Sequence, residues 1–249
     1  MHSHLSAVVE RLLEAYQGGA AVPEDFVAAH PLSVSDGLQV QARIQAALGA
    51  VGGWKVSPSS TQEKPSFAPI LLKNVHRDSA RFAHGAFRNV GIECEIAYRI
   101  GRDLAKPPYT RGEIDGSIAG LLSLVEICDS RLANYKGASA GWRLADCGAN
   151  SAVLVGIDVA DWRSIDTRRQ AVTLAYNGKV VADKPGNPNE DLVEVVQRLA
   201  NQAGAQCGGI RAGQIVTTGS MSGNIAAEPG TEIVARFQGL GELRAVLER

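Results

Sequence analysis

From Trp54 to the C-terminus the chain is a succession of short β-type runs separated by turns, with few helical segments between them. Runs at residues 68–72, 91–100, 121–127 and 152–155 are followed by AVTLAY and KVVAD flanking Asn177-Gly178, the two-residue signal of a type I′ hairpin. GQIVTTGS, TEIVARF and ELRAVL close the chain, with turns at Pro229-Gly230 and Gly239-Leu240-Gly241. A parallel doubly wound sheet needs a long crossover, usually a helix, between successive strands. Most of these intervals have none, which excludes that class and points to a largely antiparallel α+β fold. One helix stands out. Leu192, Val195, Val196, Leu199 and Ala203 form its stripe, Asn187-Pro188-Asn189 precedes it, and Gly204 is placed to cap it. The 27 glycines and 10 prolines fit a body rich in turns.

The first fifty residues read differently. Leu5, Val8, Val9, Leu12, Leu13 and Tyr16 recur at helical spacing until Gly18-Gly19. A second helix starts at Ser33, Ser35 and Asp36, carries Val40, Ile44, Ala47, Leu48 and Val51 as its stripe, and is expected to close at Gly52-Gly53. This divides the chain into a small helical N-terminal subdomain, 1–53, and a β-rich catalytic domain, 54–249. With 249 residues, 45% apolar and 20% charged, the chain can bury a large core without staples, and disordered, collagenous and coiled-coil classes are excluded. The net charge of −1, with no basic stripe, argues against nucleic acid as a partner. No apolar run is long enough to span a bilayer. Glu10, Arg11 and Glu14 break what would be a secretory core, so neither a signal peptide nor a membrane is expected, and the cytoplasm is the expected compartment. Cys94, Cys128, Cys147 and Cys207 form no C-x-x-C pair and read as buried reduced thiols. There is no G-x-G-x-x-G, P-loop or G-x-S-x-G. His2, His4, His30, His76 and His84 form no ligand-spaced pair and read as surface or structural residues.

The chemistry gathers elsewhere. In GIECEIAYRIGRDL, Glu93 and Glu95 are two apart in a β-type run. Strand alternation points both carboxylates to one face, about 7 Å apart at the backbone, and Cys94 to the other with Ile92 and Ile96. Two carboxylates so placed can close on one cation; a solvated strand face is the plainer alternative. Glu126 lies among Leu124, Val125 and Ile127, where an acid is costly unless paired or metal-bound. Three carboxylates without His or Cys make an all-oxygen site, suited to Mg²⁺ or Mn²⁺ rather than zinc. Alternatively Glu126 pairs with Arg131, and Asp129 is also close. Lys55, after Gly53-Trp54, sits at the junction of the helical and β parts. Partly buried, it can serve as proton shuttle or oxyanion partner, burial lowering its pKa; an exposed surface lysine is the ordinary alternative. TTGS, 217–220, ends a β run on a glycine turn whose N–H groups can bind a carboxylate.

GWK at 53–55, Glu93 with CEIAYRIGRDL after it, LVEICDSR at 124–131 and IVTTGS at 215–220 occur in an order and spacing that resemble the 2-keto-4-pentenoate hydratase and 4-oxalocrotonate decarboxylase branch of the fumarylacetoacetate hydrolase superfamily. The likeness covers nearly the whole chain. It implies a fumarylacetoacetase-like mixed β roll with a helical N-terminal piece and a divalent-metal site. By the resemblance Glu93, Glu95 and Glu126 are the metal ligands and Lys55 is the active-site lysine. Asp129 and Arg131, with Thr218, Gly219 and Ser220, then stand near the substrate. It further implies a homo-oligomer and a metal-dependent lyase, a hydratase or decarboxylase of aromatic-compound degradation, that works on a 2-oxo or 2-hydroxydienoate acid through a metal-chelated enolate. An acylpyruvate hydrolase of the same fold, or a catalytically idle protein that binds a 2-oxo acid or metal, are the alternatives. Two departures bear on hydration. The hydratases carry K-x-G where this chain has Lys55-Val56-Ser57, and an acid in D-(Y/F)-G where it has Ser66-Phe67-Ala68.

Overall fold

The structure, a computed structural model, describes residues 2–249 apart from 62, 105 and 190, with the backbone alone for residues 2 and 3, so the side chain of His2 lies outside the described residues. Helix α1 (His2–Tyr16) buries Leu5, Val8, Leu12 and Ala15, and the chain leaves it through Gly18 at φ 92°. A short α2 (Glu24–Ala29) follows, one turn and a half that apolar spacing is too short to reveal. Helix α3 (Val34–Leu48) begins on a capping box: the Ser33 hydroxyl accepts the Asp36 N–H while the Asp36 carboxylate accepts the Ser33 N–H. It ends at Gly49, earlier than Gly52-Gly53 suggests. Those two glycines lie inside strand β1 (Val51–Val56), and Gly53 lacks a side chain because a Cβ there would collide with Ile215 on the neighbouring strand.

The remaining strands are β2 (Phe67–Leu71), β3 (Val75–Arg77), β4 (Ser79–Phe82), β5 (Gly91–Ile100), β6 (Ile118–Cys128), β7 (Asn150–Val155), β8 (Val172–Tyr176), β9 (Lys179–Lys184), β10 (Ile215–Thr217), β11 (Ile225–Ala226), β12 (Glu232–Phe237) and β13 (Gly241–Leu247). One sheet runs β2-β1-β10-β5-β6-β7-β3, with β11 also paired to β5; the other runs β4-β13-β12-β8-β9. Most pairs are antiparallel, and β1 with β10, β3 with β7 and β4 with β13 are parallel, so both sheets are mixed. The β8–β9 hairpin turns on Asn177 and Gly178, both at positive φ as a type I′ turn requires.

Three further helices complete the chain. α4 (Arg111–Asp115) and α5 (Ala140–Ala145) are short and capped by Thr110 and Ser139. α6 (Leu192–Ala203) is capped by Asp191, whose carboxylate accepts the Glu194 N–H, rather than by the asparagines of 187–189. α6 packs its apolar face into the main core with Trp54, Ile92, Cys94, Ile96 and Leu121. A second core joins α1 and α3 to Leu132, Ala138 and Trp142, so the N-terminal helices rest on the 132–147 segment. Buried Gln41 of α3 ties this contact together by donating to the carbonyls of Phe67 and Leu144. These packings fix the position of β1 and of the 146–150 turn, which carry the polar groups described next.

Candidate metal and active site

β5 and β6 pair in a register that sets Glu93 opposite Glu126 and Glu95 opposite Leu124. Residues two apart share a face, so Glu93, Glu95, Glu126 and Cys128 look the same way. Cys94 looks the other way, fully buried in the main core. The expected strand register is therefore the one observed. Glu126 is 0% exposed and Glu95 2%.

Lys55 reaches this face from β1. Its ammonium donates to Glu126 Oε1 at 2.5 Å and to the Gly148 carbonyl at 3.0 Å. Asn150 Nδ2 donates to the same Glu126 oxygen at 3.0 Å. The other oxygen, Oε2, is buried without a hydrogen-bond partner. Glu95 is held by its Oε2, which accepts the backbone N–H groups of Thr218 at 3.1 Å and Gly219 at 2.8 Å. Asn224 donates to Glu93 at 3.1 Å. Candidate ligand atoms of Glu93, Glu126 and Cys128 lie within 4.8 Å of one another.

Three carboxylates around one ammonium leave a negative potential. Burial, then the charges of Glu126 and Glu93, push the Glu95 carboxyl up to about 8. Burial and Glu126 raise Glu93, against the pull of Lys55. Burial and Glu126 likewise hold the Cys128 thiol well above its ordinary value. For Lys55, burial alone lowers the pKa, as expected from sequence. The acidic neighbours, Glu126 foremost, outweigh it and hold the ammonium well above the usual lysine range. Lys55 is thus a firmly protonated donor.

The face opens on a cavity of about 300 Å³ lined by Lys55, Ser57, Ser66, Glu93, Glu95, Phe67, Tyr135 and Ser220 among others. Of the turn at 217–220, Thr218 and Gly219 give their N–H groups to Glu95, and Thr218 Oγ1 donates to the Ile96 carbonyl at 2.8 Å. Ser220 lines the cavity and its hydroxyl has no partner. Gly219 has φ 99°, and a Cβ there would strike Pro58, so this glycine lets the 57–66 loop close against the turn. Asp129 and Arg131 do not line the cavity. Asp129 accepts the Asn89 N–H at 2.8 Å and faces Arg88. Arg131 pairs with Asp146 at 2.6 Å, donates to the Asn150 carbonyl and lies over the Tyr16 ring. The alternative pairing of Glu126 with Arg131 is therefore replaced by Lys55–Glu126 and Arg131–Asp146. The supports Asn150, Asn224 and Gly148, and the lining residue Tyr135, carry no sequence signal, because each comes from outside the strands that carry the carboxylates. Cys128 carried one: it is two residues from Glu126 and shares its face. The structure thus places a thiol near Glu93 and Glu126 on the carboxylate face.

The residues fit a divalent cation. The orphaned Glu126 oxygen and the raised Glu93 and Glu95 are what an acidic cluster shows when its positive partner is too small a charge. Glu93, Glu95 and Glu126 would supply hard oxygen donors.

The fumarylacetoacetate (FAA) hydrolase C-terminal family model matches residues 47–248. A 4-oxalocrotonate decarboxylase of Pseudomonas putida is 30% identical over 159 residues, 62% of this chain and 58% of that protein, so the match spans less than two thirds of the relative. A 2-keto-4-pentenoate hydratase of Paraburkholderia phymatum is 25% identical over 187 residues, 73% of this chain and 70% of its own length. The solved 4-oxalocrotonate decarboxylase from Pseudomonas putida G7, complexed with magnesium and adipate, superposes with a TM-score of 0.86 at 22% identity, over 99% of this chain and 98% of that one. The chain belongs to the fumarylacetoacetate hydrolase family. No helix among the described residues is long and apolar enough to cross a membrane.

Proposed function

We propose that this member of the fumarylacetoacetate hydrolase family is a divalent-metal-dependent lyase of hydratase or decarboxylase type acting on a 2-oxo acid or its 2-hydroxydienoate form. The observation that carries the reading is the buried, unpartnered oxygen of Glu126 beside Glu93 and Glu95, set against the Lys55 ammonium on the wall of a small cavity. Glu93, Glu95 and Glu126 would hold Mg²⁺ or Mn²⁺, and the bound cation would supply Lewis acidity toward the carboxylate and 2-oxo oxygens of the substrate. The protein's own groups do the rest. Lys55 holds a proton at Nζ and donates it, or a hydrogen bond, to the substrate oxygen that gains charge. Ser220 offers its free hydroxyl to the substrate carboxylate. Phe67 and Val56 form an apolar wall that limits water. Gly148 and Asn150 keep Lys55 and Glu126 in place. The relatives named as decarboxylase and hydratase support this class of substrate. A homo-oligomer is part of the proposal.

The 66 position separates the outcomes. Ser66 lines the cavity and cannot take a proton from water near neutral pH. Release of CO₂ needs an electron sink but no such base, so decarboxylation is favoured over hydration. The test is turnover with Mg²⁺ or Mn²⁺ against 2-oxo dienoates, 4-oxalocrotonate-type diacids and acylpyruvates, with C3 hydrogen exchange followed in deuterated water. Metal- and Lys55-dependent exchange supports the proposal. Its absence with every substrate class sinks it and leaves an idle binding protein.

A further inference from the structure

A second cavity, of about 510 Å³, shares no lining residue with the acidic one. Tyr98, which lines it, is an odd number of residues from Glu93 and Glu95 along β5 and so points to the opposite face of the strand. We infer that this cavity is a ligand site for a small oxyanion, a carboxylate or a phosphate, held by Arg163, Arg168 and the Tyr98 hydroxyl. The inference does not depend on the proposed metal site.

Three observations carry it. The first is a pair of buried donors with nothing to bond. Tyr98 is 2% exposed and Trp162 8%, and their rings stand edge to face, 5.4 Å apart at the centroids. The Tyr98 hydroxyl forms no hydrogen bond with any described residue, and burial together with the nearby Asp191 keeps it protonated. The Trp162 indole N–H is buried without a partner. Such donors are costly until an acceptor reaches them. The second is unspent positive charge. Of the three arginines that line the cavity, Arg111 takes up both lining acids, Asp191 at 2.5 Å and Asp115 at 3.4 Å. Arg163 and Arg168 form no ion pair with a described residue, and their planar forks match the oxygens of a carboxylate or phosphate. The third is that these cations are held in place. Arg163 lies 4.2 Å over the Trp162 ring and donates to the Asp115 carbonyl at 2.9 Å. The Arg168 N–H donates to the Asp166 carboxylate at 3.1 Å, and its carbonyl accepts the Asn187 N–H at 3.0 Å. Gly186 passes so close that a Cβ there would strike that carbonyl. A site prepared in this way loses little freedom on binding.

The experiment titrates the full chain, stripped of metal, with inorganic phosphate and separately with succinate at low ionic strength. Without metal the carboxylates of the acidic cavity repel anions, so binding reports on the second cavity. Calorimetry should show one ion per chain, with a dissociation constant of about 1 mM or tighter for at least one of the two. The tighter of the two identifies the source as phosphate or carboxylate. Arg168→Gln should weaken binding at least about 10-fold, and Tyr98→Phe, which keeps the ring in the core, about 3- to 10-fold. Lys179→Gln, which removes an exposed cation on β9, should change it less than about twofold. The chain has three tryptophans, and the indole N–H groups of Trp54 and Trp142 already have acceptors. Only the Trp162 indole resonance, identified by its loss in Trp162→Phe, should move, and it should follow the same saturation curve. Where Arg168→Gln does not fold, Arg163→Gln gives the same reading. No binding of either anion up to about 20 mM, an affinity unchanged in Arg168→Gln and Tyr98→Phe, an equal loss in Lys179→Gln, or an unmoved Trp162 resonance would overturn the site.

Discussion

Replacing Glu95 by Gln should make the metal-free protein more stable while destroying its response to metal. Glu95 is 2% exposed, and its carboxyl is pushed up from 4.5 to about 8 by burial and by Glu126 and Glu93. In the unfolded chain it titrates near the ordinary value. The folded state therefore holds a proton that the unfolded state has released. The resulting cost is absent below the unfolded pKa, grows as pH rises toward about 8, and is constant above. At about pH 7.5 the interval of roughly three pH units, at about 1.4 kcal/mol each, amounts to about 4 kcal/mol. Glutamine keeps an acceptor for the Thr218 and Gly219 N–H groups and removes the charge. With about half of the cost recovered or more, the variant should melt roughly 4–15 °C higher in chelator at that pH. At about pH 5 the gain should shrink to under about 1 kcal/mol. Saturating Mg²⁺ or Mn²⁺, at about 100 times its dissociation constant, should stabilise the unmodified protein by about 2.7 kcal/mol and the variant hardly at all. Paired thermal melts at the two pH values, in chelator and in metal, read all four numbers. A variant that is no more stable in chelator at about pH 7.5, or that keeps the full metal response, would refute both the electrostatic strain and the ligand role of Glu95.

Gly219→Ala combines an unfavourable φ of 99° with a collision at Pro58, and because this turn orients Glu95, metal affinity by calorimetry should fall at least about 10-fold; unchanged affinity would mean that the turn does not position the ligand. Asp146→Asn strips the buried Arg131 of its charge partner, so denaturant melts should show a loss of about 3–5 kcal/mol while metal binding in the folded fraction persists; a neutral result would mean that Arg131 is satisfied by its other acceptors alone. Ser66→Asp should raise the hydration rate of 2-hydroxypenta-2,4-dienoate by about two orders of magnitude if the position faces substrate, and an unchanged rate in a well-folded variant would place the water elsewhere.

The parts of this site that were legible in the sequence are those governed by strand alternation. Glu93, Glu95 and Cys94 follow from a period of two within one run, and β5 begins and ends where its sequence says. Glu126 was legible for a second reason, because an acid inside an apolar strand demands a partner. What that partner is depends on register between strands and on loop closure. Lys55, more than seventy residues away, wins Glu126 because β1 and the 146–150 turn converge there. Arg131, five residues away, is drawn instead to Asp146 at the end of α5. Proximity in sequence misleads here since β6 ends at Cys128 and the residues after it redirect the chain. Strand parity decides the surroundings of Cys128. Read as one more small apolar side chain it belongs with Cys94, but the register that pairs Gly91 with Cys128 puts it on the acidic face instead. Two buried cysteines thus differ in surroundings through strand parity. Cys94 sits at an even offset from Ile92 and Ile96 in the core, and Cys128 at an even offset from Glu126 beside the carboxylates. A parity count on LVEIC alone is enough to place a sulfur beside the third carboxylate. Only pairing with β5 shows that Glu93 lies on that face too, opposite Glu126.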